Sequence, residues 1–230
     1  MASGLVQQRT MNKILSCVPV FLILLCSCAT QPSNKIIVQP NVVYLKPNRW
    51  VISFSPGMPT HPVSGTGVSP VSSWYFDFPS SDGVHYIMVP YTASKPHKTL
   101  TITFKVTALS GNPQFISVET GCNEAADFRP MLERQGDMLS ASQDFYRWWS
   151  SDKVKLVADG QIHTLSVPLT PDRWGSVFGK NGTQAPTEFA TSLQNLMGVG
   201  ITFGGGCFAG HGVYVTGGKA RFTLLNYQIQ

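Results

Sequence analysis

Short runs of β-branched and aromatic residues, separated by Gly, Pro and Ser clusters, constrain this chain more than any other feature. In residues 100–109, Leu-Thr-Ile-Thr-Phe-Lys-Val-Thr-Ala-Leu, apolar side chains alternate with Thr and Lys. That period of two is the pattern of a half-buried strand. Comparable runs occupy residues 36–43, 50–54, 74–78, 86–89, 115–118, 153–157, 163–169, 198–203, 213–216 and 220–229. So many short strands with turn spacing predict an antiparallel sandwich or barrel. With 21 Gly, 16 Pro and only 13% charged residues, helical bundles, coiled coils and disorder are poor alternatives. One segment, residues 187–196, reads as a short helix, with Phe189, Leu193 and Leu196 at helical spacing. Residues 55–73, rich in Pro, Gly and Ser, read as a long loop within one domain.

The N-terminus is an address. Lys13 precedes an apolar run from Ile14 to Leu25 that only Ser16 and Pro19 interrupt. The run is too short to span a bilayer and suits the apolar region of a secretory signal. Met11 is an alternative start. Leu25-Cys26-Ser27-Cys28 closes the run and resembles a bacterial lipobox. The resemblance implies cleavage before Cys28 and lipidation of its thiol; an ordinary signal peptide is the alternative. Ala29 in the next position implies, by the enterobacterial sorting rule, passage to the outer membrane. The expected organisation is a signal peptide at 1–27, a lipidated tether at 28–35 and one domain at 36–230.

Loss of residues 1–27 removes Arg9 and Lys13, leaving 15 basic against 12 acidic residues, a net charge of +3. So small an excess gives no electrostatic footprint for nucleic acid. Besides Cys28, the mature chain keeps Cys122 and Cys207, each beside a glycine. In an oxidising periplasm such a pair invites a disulfide, with two separate buried thiols as the rival.

The latter half has a recognisable order of elements. Asp159-Gly160-Gln161-Ile162-His163-Thr164-Leu165-Ser166-Val167-Pro168-Leu169 is a turn followed by an edge strand. Pro171-Asp172-Arg173-Trp174, a Gly-Lys turn and the short helix follow. Then come Val199-Gly200-Ile201-Thr202-Phe203-Gly204-Gly205-Gly206 and a closing run from Gly218 to Ile229. This order resembles jelly-roll modules of the galactose-binding-like kind, among them many carbohydrate-binding modules. The resemblance implies an all-β antiparallel jelly-roll sandwich with one short helix, and by itself it bears on fold more than on function.

Chemical motifs are sparse. The acidic residues run from Asp77 to Glu188, so neither end of the domain supplies the carboxylates of a jelly-roll calcium site, and no metal or cofactor is expected. Glu119, Glu124, Asp127, Glu133, Asp137 and Asp144 form a cluster in which no spacing singles out a glycosidase pair. They read as solvated loop charges pairing with Arg129, Arg134 or Arg147. Gln161-Ile162-His163 is similar to a three-residue motif of alginate-lyase jelly rolls, whose other motifs are missing here. Cys207 and His211, four apart, lack the partners of a nucleophile or a zinc site. Nine glycines between 198 and 218 read as turns and close backbone approach, since Gly218-Lys219-Ala220 opens a β run and not a helix. No catalytic residue is assigned.

Aromatic residues remain. Sugar rings pack their C–H faces on aromatic planes while Arg, Asn, Gln and Asp bond the hydroxyls. Trp74-Tyr75-Phe76 and Phe145-Tyr146-Arg147-Trp148-Trp149 are the two groups. If extended, Trp148 and Trp149 face opposite sides, one in the core and one partly exposed. Trp149, Tyr146, Arg147 and Trp74 are the candidate ligand-binding residues, Trp149 foremost. The sequence therefore predicts a lipid-anchored envelope protein that binds glycan without catalysis. An envelope-protein partner is the second reading and a polysaccharide-active enzyme the third.

Overall fold

The structure, a computed structural model, describes residues 46–65, 73–92, 96–119, 121, 125–205 and 209–230. The expected signal segment and tether, Cys28, the run at 36–43, Cys122 and Cys207 lie outside the described residues. No helix among the described residues is long and apolar enough to cross a membrane.

The strands are β1 (Val51–Ser53), β2 (Val63–Ser64), β3 (Trp74–Asp77), β4 (Tyr86–Pro90), β5 (Thr99–Ser117), β6 (Ala126–Arg134), β7 (Arg147–Ser150), β8 (Val154–Lys155), β9 (Asp159–Pro168), β10 (Trp174–Ser176), β11 (Leu196–Gly205) and β12 (Val213–Ile229), with helix α1 at Pro186–Gln194. They form an antiparallel β-sandwich. The larger sheet runs β1-β4-β11-β6-β7-β10, with β8 also beside β6; the smaller runs β2-β3-β12-β5-β9.

The alternation read from residues 100–109 sets the smaller sheet. Leu100, Ile102, Phe104 and Val106 point inward, while Thr99, Thr101, Thr103 and Lys105 point out. Across the core, Ile87, Val89, Phe128, Leu132, Val199, Ile201 and Phe203 of the larger sheet are buried. Aromatic rings knit the core: Phe104 stacks on its sheet neighbour Phe222 at 5.6 Å and meets Phe128 of the other sheet edge-on at 4.6 Å. Such contacts add roughly 0.5–1.5 kcal/mol each beyond the area they bury.

Two pairs of expected strands are fused. Residues 100–109 and 115–117 belong to one strand, β5, and residues 213–216 and 220–229 to another, β12. Gly111 (φ 62°) and Gly217 (φ 71°) absorb an irregularity in their ladder without ending it. A Cβ on Gly111 would sit 2.4 Å from the Gly217 carbonyl oxygen, so a side chain has no room there. The expected loop at 55–73 contains the two-residue strand β2. The helix stops at Gln194, because Asn195 caps it through its side chain to the Thr191 carbonyl, and Leu196 already opens β11.

The main correction concerns residues 126–134. The acids around Asp127 and Glu133 were expected in a solvated loop, yet β6 is an inner strand between β11 and β7. Its period of two is masked by charge, since Asp127, Arg129 and Glu133 share the outer face with Met131. Pro130 also argues against an inner strand. It is accommodated because the partner edge is broken beside it: β7 ends at Ser150 and β8 starts at Val154, pairing with Phe128.

Candidate functional site

The larger sheet packs one face on the core and turns the other outward. Register decides which side chains meet there. Met131 pairs with Trp149, and Trp149 in turn pairs with Gly175 of β10. Tyr86 of β4 pairs with Thr202 of β11, which pairs with Arg129 of β6. Across this face runs a groove of about 1010 Å³, lined among others by Tyr86, Arg129, Arg147, Trp149, Phe54 and Phe178. The expectation for the adjacent tryptophans holds: Trp148 is fully buried, donating its indole N–H to Ser192 Oγ at 2.9 Å, and Trp149 faces the groove half-buried. At Gly175 an added Cβ would meet nothing within 4 Å, so the space beside the Trp149 ring is open.

Phe54 and Phe178 stand at the rim, 59% and 66% exposed. Phe54 rests edge-on against Tyr86 at 6.0 Å. Phe178 sits on a turn held by Asp144, which accepts the Phe178 N–H at 2.9 Å and the Ser176 hydroxyl at 2.6 Å. The backbone marks the same place. Among the described residues three non-glycines have positive φ, namely Phe54 (56°), Asp82 (60°) and Leu139 (57°), and all three line this groove. Left-handed backbone at such residues costs of order 1–3 kcal/mol and concentrates at ligand sites.

The guanidinium groups are held in place. Asp127 binds Arg129 through both carboxylate oxygens, at 2.9 and 3.0 Å. Asp137 Oδ1 lies 3.2 Å from Arg147 Nη1, and Arg147 Nη2 donates to the Ser140 carbonyl at 2.8 Å. Asp137 Oδ2, Arg147 Nε and Trp149 Nε1 are buried without a hydrogen-bond partner. Burial raises the Asp137 carboxyl above its usual range, against the Leu139 N–H and Arg147, which lower it. Burial also raises the Tyr86 phenol, with Arg147 opposing and Asp137 reinforcing. Glu133 is pushed up to about 7, first by burial and then by Asp137, with Arg147 opposing.

Of the residues expected to bind ligand, the structure brings Trp149 and Arg147 together in the groove. Tyr146 lies outside its lining, with the Arg134 guanidinium over its ring at 4.8 Å. Trp74 is fully buried against Trp50 and Phe222 and offers no ring face to a ligand. Sequence reasoning passed over Phe54, Phe178, Tyr86 and Arg129. An isolated aromatic within a turn-rich segment, as at Val177-Phe178-Gly179, was the available signal. His163, of the short lyase-like motif, pairs with Asp159 at 2.9 Å on the other sheet. Among the described residues, no three His, Cys, Asp or Glu side chains are arranged to hold a metal ion.

Neither a family model nor a curated protein matches the sequence. Among solved structures, a xylan-binding module described as CBM15 is similar at 16% identity and a TM-score of 0.38, covering 80% of this chain and 94% of that one.

Proposed function

We propose that this protein is an envelope lipoprotein whose β-sandwich binds a polysaccharide, without catalysis, along the outer face of its larger sheet. The observation that carries this reading is the groove itself: one half-buried and two exposed aromatic rings, Trp149, Phe54 and Phe178, beside the carboxylate-braced Arg129 and Arg147. Rings supply stacking planes for sugar C–H faces, and fixed guanidinium groups supply donors for hydroxyl oxygens. Each arginine already faces a carboxylate, which favours a neutral glycan over an anionic one. Bracing in advance lowers the ordering cost of binding.

The enzyme reading has one observation behind it, the raised carboxyls of Glu133 and Asp137. Glycoside hydrolysis needs two carboxyl groups that both reach the sugar. The Asp137 side chain is 0% exposed and locked to Arg147, so it reaches none. Binding without turnover is the better fit.

A glycan array probed with the detergent-solubilised full chain tests the proposal. Retention on neutral plant or bacterial polysaccharides is expected, and silence across the array would sink it. Anchoring through Cys28 is tested separately by mass spectrometry of the mature N-terminus. A diacylglyceryl cysteine is expected, and an unmodified Ala29 or Thr30 start would overturn the lipoprotein assignment.

A further inference from the structure

The groove does not end at Tyr86. Tyr86 and Leu139 line it on one side, and on the other they line a second cavity of about 270 Å³ on the same sheet face. That space is many times the ~30 Å³ share of one water, yet below the ~300–1,000 Å³ of a complete small-molecule site. Its size is that of an annex for a substituent of whatever fills the groove.

The annex has different walls. Met88 of β4, Met131 of β6 and Met197 of β11, with Val51 of β1, present thioether and alkyl surface. Glu133 is its single carboxyl. Gly198 of β11 lines it, and Gly200 lies beside Met88. A Cβ on Gly198 would lie 2.7 Å from Glu133 Oε2, and one on Gly200 would lie 2.6 Å from the Met88 sulfur. The missing side chains thus leave the room that Glu133 and Met88 use.

A sugar ring placed here would lose water from several hydroxyls and find few polar side chains, Glu133, Ser53 and Tyr86, among mostly apolar walls, a net cost. An acyl group has the opposite needs. Its alkyl end packs on soft, adaptable thioethers. Its carbonyl oxygen requires one donor, which a protonated carboxyl provides. The environment that raises Glu133 to about 7 keeps that proton in place at mildly acidic pH.

We propose that this annex is a subsite for an ester-linked acyl substituent, so that the groove prefers an O-acylated polysaccharide to the same chain without its acyl groups. The inference rests on the carbohydrate reading of the groove. Burying one methyl-sized group and forming one hydrogen bond give a preference of roughly tenfold.

The test measures the affinity of the full chain for acetylated xylan and acetylated glucomannan, each before and after alkaline deacylation. Roughly tenfold tighter binding of an acetylated form is expected. Equal or tighter binding of the deacylated forms overturns the subsite and leaves the groove standing. Absence of binding to all four overturns the subsite, and silence across the glycan array as well overturns the groove reading. Met88→Gln and Gly198→Ala provide independent checks, each confirmed folded by its melting curve. The ratio of the two affinities is expected to fall towards one in both. An unchanged ratio in both folded variants overturns the proposal.

Discussion

Arg147 and Asp137 form an ion pair whose side chains are 5% and 0% exposed, and it fastens the segment after β6 over the outer sheet face. The pair is incompletely satisfied, since Arg147 Nε and Asp137 Oδ2 find no partner. Removing one member leaves a buried charge uncompensated, which costs about 3–5 kcal/mol, whereas replacing both with apolar residues of similar size is often near neutral. Asp137→Ala is therefore expected to lose much more stability than the double variant Asp137→Leu with Arg147→Met. Urea denaturation decides: if the double variant is the less stable, the pair contributes net stability and this account fails.

Trp148 and Trp149 are adjacent, yet their substitutions are expected to separate fold from function. Trp148→Ala empties a fully buried site and should cost about 3–5 kcal/mol. Trp149→Ala removes the central ring of the groove, for which a loss of at least about 2 kcal/mol in polysaccharide binding, some 30-fold, is typical of an aromatic anchor. Phe178→Ala, at an exposed rim position, should weaken binding with little change in melting temperature. Full affinity in Trp149→Ala would remove the groove from consideration.

How far the sequence discloses this arrangement differs by element. Strand β5 was legible because one of its faces meets the core and the other meets water, so hydrophobicity alternates. Strand β6 was not, because its outer face is a polar groove and its residues from Ala126 to Leu132 are all buried. Charge there faces the groove and not a loop. The rule that neighbours on a strand face opposite ways separates Trp148 from Trp149 but does not say which is buried; Trp149 was singled out for the nearby Arg147 and Tyr146. Trp74 obeys the same rule but points inward, and alternation alone does not say which face is the core. Phe54 and Phe178 are brought to the groove by loops far apart in sequence, which no local pattern encodes.

Glu133 links stability to pH in a defined direction. Its carboxyl ordinarily titrates near 4.5, and in the folded protein it is pushed up to about 7. Between those values the folded state holds more protons than the unfolded one, so stability falls as pH rises through the window and levels off above it. Asp137 is raised too and adds in the same sense at the lower end, while Arg147 opposes both. Glu133→Gln is expected to flatten the decline between about pH 4.5 and 7. Identical pH profiles for the two proteins, by thermal or urea denaturation, would contradict the raised carboxyl.

The last prediction concerns the cysteines. Ala126 and Gly205 are register partners at the end of the β6–β11 ladder. Cys122 precedes Ala126 by four residues, and Cys207 follows Gly205 by two. We propose a disulfide between these two cysteines, both of which lie outside the described residues. Closing a loop of about 85 residues stabilises a fold by roughly 4 kcal/mol in the chain-entropy model. Peptide mapping without reductant is expected to yield a linked Cys122–Cys207 fragment, and reductant to lower the melting temperature. Alkylation of both thiols in the unreduced, denatured protein would show that they are separate.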